Sequence, residues 1–126
     1  MADYTPVFTG GAIPKTMQAS GAVVGGTFVS TAGAGLVSTS GAASATILGV
    51  AAHDAASGSK VTVWPIKNVT HEIASTGTIA VGDGITSGAS GVAATVVIAT
   101  GAAAGTLVGL AETGATGGAL VRFIGR

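Results

Sequence analysis

Two histidines in this chain each stand beside an acid, His53-Asp54 and His71-Glu72. Imidazole with carboxylate is the usual material of a general acid/base pair or a metal site. Such groups must converge on one point, whereas neighbours on a strand point to opposite faces. His53-Asp54 falls in a predicted hairpin loop, and an internal repeat carries Thr113-Gly114 at the matching place, so the repeat does not need the pair. Both histidines are expected to be loop or surface residues. Serines are plentiful, but no Gly-x-Ser-x-Gly elbow occurs to make one a nucleophile. Gly58-Ser59-Lys60 lacks the remainder of a phosphate loop, and Gly82-Asp83-Gly84 lacks the third glycine of a dinucleotide fingerprint, so both are expected to be turns. Acids are scattered singly, which gives no oxygen-rich cage for calcium. No catalytic residue, cofactor site or metal site is expected, and the chain is not read as an enzyme.

The element that organises the chain is Thr46–Val63, which has the pattern of a complete β-hairpin. Thr46–Ala52 is apolar on both faces, as a buried strand would be. Lys60–Trp64 alternates, with Val61 and Val63 on one side and Lys60, Thr62 and Trp64 on the other. Asp54, Ser57, Gly58 and Ser59 supply turn chemistry between them. Thr106–Phe123 repeats the stretch sixty residues later: Gly49 matches Gly109, Ala51 matches Ala111, Gly58 matches Gly118 and Val63 matches Phe123. Upstream, Val24-Gly25-Gly26-Thr27-Phe28 is echoed by Val81-Gly82-Asp83-Gly84-Ile85. Two copies of one β unit follow, with a small insertion or deletion between them. The predicted fold is all-β: a compact barrel or sandwich of short strands with an internal two-fold repeat. The predicted organisation is an extended arm over residues 1–15 and a single β domain over 16–126, its copies about 16–73 and 74–126.

Around the hairpins, short strands are expected at Thr16–Ala19, Ala22–Ser30 (turned or bulged at Gly25-Gly26), Leu36-Val37 and Val69–Ile73. Pro65 should end the first hairpin, since it has no ladder donor. Lys67-Asn68 is a turn candidate. Val92–Ala99 is expected to be a buried strand in preference to a short helix, and Gly101–Gly105 a loop of small residues.

The 126 residues include 22 glycines and no cysteine, which suits many short strands joined by tight turns and excludes disulfides. Five basic and five acidic residues cancel. Without a basic cluster there is no footprint for nucleic acid. No apolar run is long enough for a transmembrane helix, and no basic-then-apolar opening signals export. A charge content of 8% is far below the usual quarter, so Ser and Thr are expected to solvate the exposed faces, which suits a surface covered by partners.

Met1–Lys15 stands apart from the rest. Pro6 and Pro14 favour extended backbone, and Tyr4 and Phe8 are two of the chain's five aromatic residues. Aromatic anchors in a leading arm point to docking, either on the chain's own domain as a first strand or on a neighbour's sheet edge. Tyr4, Pro6 and Phe8 are the candidate arm anchors. Trp64, on the outward face of its strand, is a candidate interface residue.

The opening MADYTPVFTGG, the turn Val24–Gly26, the Gly/Ala/Ser-rich stretch and Ile47–Ile73 together resemble the capsid cement, or head-decoration, proteins of tailed bacteriophages, in part the lambda-type decoration protein. The resemblance implies an all-β structural protein that binds the outside of a phage head and bridges subunits of the major capsid protein. It also implies a homo-oligomer, with a trimer favoured, whose leading arm adds to a capsid sheet. Its place would be the outer capsid surface of the virion, after synthesis in the host bacterial cytoplasm. Neither nucleic acid nor membrane is an expected partner. The duplicated second half departs from the lambda type, so trimer geometry and capsid contacts do not carry over by residue. The other reading is a different virion module, such as a tail- or fibre-associated β-domain.

Overall fold

The computed structural model of the chain describes residues 3–126; Met1 and Ala2 of the predicted arm lie outside the described residues. The expected hairpin is present. Strand β4 (Ile47–Ala51) pairs antiparallel with β5 (Lys60–Trp64), placing Val50 opposite Trp64 and Ala51 opposite Val63. Along β5 the burial alternates as the sequence pattern requires: Val61 and Val63 are buried and Lys60 is exposed. Strands β1 (Lys15–Ala19), β2 (Phe28–Gly33) and β3 (Leu36–Thr39) complete a closed barrel of order β1-β3-β2-β4-β5. Its interior holds Ala19, Val29, Val37, Ala51, Val61 and Val63, small side chains that suit the narrow lumen of five strands.

The second half builds the same object. Strands β6 (Thr70–Ala74), β8 (Gly84–Ser87), β9 (Ala93–Val96), β10 (Gly109–Ala111) and β12 (Leu120–Gly125) form a sheet of order β6-β12-β10-β8-β9. Its two ends meet through one parallel bridge, Ser75 to Ala93, where the first barrel pairs Ala19 with Val37. Two further short strands, β7 (Thr78–Ile79) and β11 (Ala115–Thr116), pair Ile79 with Ala115. The first barrel has the matching bridge between Val23 and Ala55.

Pairing fixes the repeat residue by residue. Ala111 faces Phe123 as Ala51 faces Val63, an offset of 60. Before the hairpins the offset is 56, not the 57 that the matching Val-Gly strings imply. Gly26 N–H donates to Ala51 C=O and Gly82 N–H to Ala111 C=O, both at 2.8 Å. Val29 faces Gly49 and Ile85 faces Gly109. The true counterpart of Ile85 is therefore Val29, not Phe28. A slip of one residue exchanges the two faces of a strand, so only the ladder can decide it. By the same offset β6 takes the place of β1: Ile73 faces Val121 as Met17 faces Val61. The second barrel thus begins near Thr70, ahead of the boundary expected after Ile73.

The four residues that separate the two offsets are inserted between β9 and β10, where helix α1 (Ile98–Ala104) lies. The stretch expected to be a loop at Gly101–Gly105 is mostly this helix. Alanines with high helical propensity carry it, and Gly105 ends it in left-handed geometry, its N–H bonded to the carbonyls of Gly101 and Ala102. The strand expected over Val92–Ala99 stops at Val96 for that reason.

The barrels are fused along a largely apolar seam. Phe28 and Val50 point out of the first barrel and join the buried cluster of the second, with Ile73, Ile85, Val121 and Phe123. The Phe28 and Phe123 rings lie 5.7 Å apart. Hydroxyls satisfy the polar part of the seam. Ser87 Oγ donates to Gly41 C=O at 2.7 Å and accepts from Ser44 N–H, and Ser30 Oγ bonds both Ser40 and Ser44. Ser30, Ser40 and Ser87 are all buried. They hold structure together instead of coating the surface, because a hydroxyl is the smallest group that can pair with a buried backbone donor or acceptor.

Candidate functional site

The arm crosses this seam and is bound to both barrels. Asp3 bridges His53 and Tyr4 N–H donates to Ala52 C=O on the first barrel. Phe8 bridges Thr70 on the second, with Thr70 N–H donating to Phe8 C=O at 2.9 Å. A turn over Thr9–Ala12 then feeds β1, and Gly10 supplies its left-handed corner (φ 58°). The described residues of the arm thus lie on the chain's own domain.

Tyr4 is the centre of that docking. Its ring lies over Gly26, where a Cβ would meet the ring at 3.6 Å, and stacks on His71 with centroids 5.8 Å apart. His71 is fully buried, contrary to its expected place on a loop or surface. It is the second residue of β6, and its side chain lies beside Phe123. Its Nε2 lies 2.8 Å from Pro65 C=O, which can only accept, so Nε2 carries the proton. Nδ1 must then accept, and Tyr4 Oη donates to it at 2.7 Å. The same oxygen accepts Glu72 N–H at 3.1 Å. Every hydrogen-bonding site on the imidazole is used. Burial, only partly opposed by the bond to Pro65, lowers the His71 pKa to about 4, and burial likewise raises that of Tyr4 well above the ordinary phenol range. The imidazole is neutral at pH 7 and acts as a clasp for the arm.

The remaining candidate residues fall apart from one another. Pro6 is buried against the domain, while the Phe8 side chain is 62% exposed. Trp64 is half-buried on the outward face of β5. His53, expected to be a loop or surface residue that the repeat does not need, is half-buried and hydrogen-bonded. Its Nε2 accepts Thr62 N–H at 3.2 Å, and in the second barrel Thr113 Oγ1 accepts the matching Arg122 N–H at 2.9 Å. Its Nδ1 donates to Asp54 C=O. Glu72 faces Arg122 across β6 and β12 at 3.4 Å, a partly exposed pair of small energetic weight. The two histidines do not meet. Among the described residues no group of three or more His, Cys, Asp or Glu side chains could hold a metal ion. Among the described residues no helix is long and apolar enough to cross a membrane.

Two clefts flank the repeat. One, about 390 Å³, lies in the seam beside the arm, between Val24–Thr27 and Glu72–Ala74, with Tyr4 in its wall. The other, about 440 Å³ and open, lies on the far side of the second barrel, between Gly82–Gly84 and Thr95–Ala99. Val81, Val97 and Ile98 stand exposed around it at 70%, 71% and 41%. The seam cleft is also lined by Asp3 and Glu72, and the far cleft by Asp83.

No protein-family model and no curated protein matches the chain. Among solved structures it is similar to the N-terminal base of the head fibre gp8.5 of bacteriophage phi29. The TM-score is 0.68 and the identity 21%, over 90% of this chain and 93% of that chain. At this identity the likeness is one of fold, and it extends over both barrels.

Proposed function

We propose that this chain is a structural protein of a phage virion, made in the bacterial cytoplasm, that decorates the outer surface of the head and bridges major capsid protein subunits. The observation that carries the reading is a fold held in common, over nearly the whole of both chains, with the base of a phage head fibre. The sequence resemblance to decoration proteins points the same way. A charge-poor block of two fused barrels is well suited to being gripped, since little must be desolvated when it is covered. A specific interface buries about 1,600 Å² in total, and an oligomer, with a trimer favoured by the resemblance, would multiply that contact by avidity. Because Tyr4 and Pro6 are engaged by the chain's own domain, Phe8 is the candidate anchor of the three left to reach a capsid subunit, with Trp64 as a second contact.

The test is to mix the purified protein with undecorated heads and examine them by electron microscopy and thermal challenge. Saturating density at symmetry-related sites and a higher disruption temperature are expected, with binding weakened by Phe8→Ala. Heads that stay bare under saturating protein would end the reading. Truncating residues 1–14 is the poorer variant, because it also removes the Tyr4 clasp. The fibre-base fold favours a second reading, in which the chain anchors a fibre. It would then bind heads without raising their disruption temperature.

A further inference from the structure

The contact between the two barrels is heterologous: the reciprocal residue pairs are missing from it. Phe28 and Thr27 of the first barrel pack on Gly91 of the second, where a Cβ would meet Phe28 C=O at 2.8 Å. By the 56-residue offset the reciprocal pair would be Gly84 on Gly35, yet Gly35 has open space around it and Gly84 faces Val96, Ile98 and Leu107. Likewise Ser87 takes the loop at Gly41–Ser44, while its counterpart Thr31 is exposed. One barrel thus offers a head face and the next receives it on a tail face.

Each face therefore exists once more, unused. The free tail face belongs to the first barrel: Thr31, Ala32 and Gly35 are exposed, whereas their counterparts Ser87, Gly88 and Gly91 are buried. The free head face belongs to the second barrel and is the open cleft itself. Its walls Gly82–Gly84 and Thr95–Val97 are the counterparts of Gly26–Phe28 and Thr39–Gly41, several of which form the seam within the chain. There Gly84 replaces Phe28 and the apolar surface comes instead from Val81, Val97 and Ile98. Large apolar side chains on the free head would meet small, uncharged ones on the free tail.

We propose that the occupant of this cleft is a second copy of the chain, seated by its Thr31–Gly35 edge, so that the seam inside one chain recurs between chains. A heterologous contact of this kind propagates head to tail, and it closes as a ring where the rotation allows. Val97 and Thr31 would be direct neighbours, as Gly41 and Ser87 are within the chain.

The tests use the full chain without capsids, so they are independent of the decoration reading; self-association without head binding would overturn that reading alone. Light scattering coupled to gel filtration should show the wild type larger than a monomer. Val97→Glu and Thr31→Glu, both at exposed positions, should each be monomeric and still unfold cooperatively, with a melting temperature that no longer depends on protein concentration. Their equimolar mixture should form a dimer and nothing larger, because one sound head meets one sound tail. Since the chain has no cysteine, mixed Val97→Cys and Thr31→Cys chains should cross-link on oxidation into heterodimers, and neither should do so alone. A monomeric wild type, an unchanged mass in either glutamate variant, a mixture that stays monomeric, or homodimers from either cysteine variant alone would overturn the proposal.

Discussion

Tyr4→Phe keeps the ring over Gly26 and deletes one oxygen, and that oxygen serves two partners. Glu72 N–H loses its acceptor and His71 Nδ1, on a fully buried imidazole, loses its donor. An intramolecular hydrogen bond is worth about 1 kcal/mol net, and a buried group left unpaired costs about 1–3 kcal/mol. The half-exposed side of Tyr4 lets water recover part of the Glu72 bond, so the expected destabilisation is about 2–4 kcal/mol. For a chain of this size that lowers the melting temperature by roughly 8–16 °C. The assay is urea unfolding followed by Trp64 fluorescence. The midpoint should fall with the slope unchanged, since a lost local bond alters stability and not the surface exposed on unfolding. Phe8→Ala is the internal control and should change stability by less than about 0.5 kcal/mol, because its side chain is exposed. A Tyr4→Phe midpoint equal to that of the wild type would refute the clasp. The arm would then lie on the domain without holding it.

The neutral His71 makes stability depend on pH. Its folded pKa of about 4 lies below the ordinary 6.5 of the unfolded chain, so the unfolded state binds the proton first. This stabilisation is complete above about pH 6.5, falls as pH drops toward 4 and is gone below that, a change on the order of 3 kcal/mol. Urea midpoints at pH 7.5, 5.5 and 4 should decline in that order, and His71→Phe should flatten this part of the profile. The repeated glycines make the third prediction. A Cβ at Gly49 would fall on the Trp64 carbonyl and the Val63 side chain, and one at Gly109 on the Ile124 carbonyl and the Phe123 ring. Gly49→Ala and Gly109→Ala should each cost more than about 3 kcal/mol by denaturant unfolding, since backbone must move to admit them. Gly117→Ala, at an open position with an ordinary φ, should be close to neutral.

Much of the fold was legible before any coordinates. Strict alternation over Lys60–Trp64 fixed which side of β5 is core, and the recurrence of Thr46–Val63 at Thr106–Phe123 announced two like units. The exact match of the upstream strands was not legible. Val24-Gly25 matches Val81-Gly82 at an offset of 57, and only the amides of Gly26 and Gly82 show that the ladders keep an offset of 56. Helix α1 was hidden because Ala and Gly carry no periodic apolar stripe from which a helix could be inferred. The clasp was hidden for another reason: Tyr4 and His71 are 67 residues apart, and nothing in either neighbourhood names the other.

Sequence by itself decided what each strand is and that the unit occurs twice, because alternation and turn chemistry act between residues a few positions apart. Tertiary structure alone decided how the units meet: that the arm straps one to the other, that a histidine beside an acid is a buried acceptor, and that one face of each barrel is used and its twin left free. Such facts depend on contacts between distant segments, whose closure is set by the packing of the whole chain and not by any local pattern.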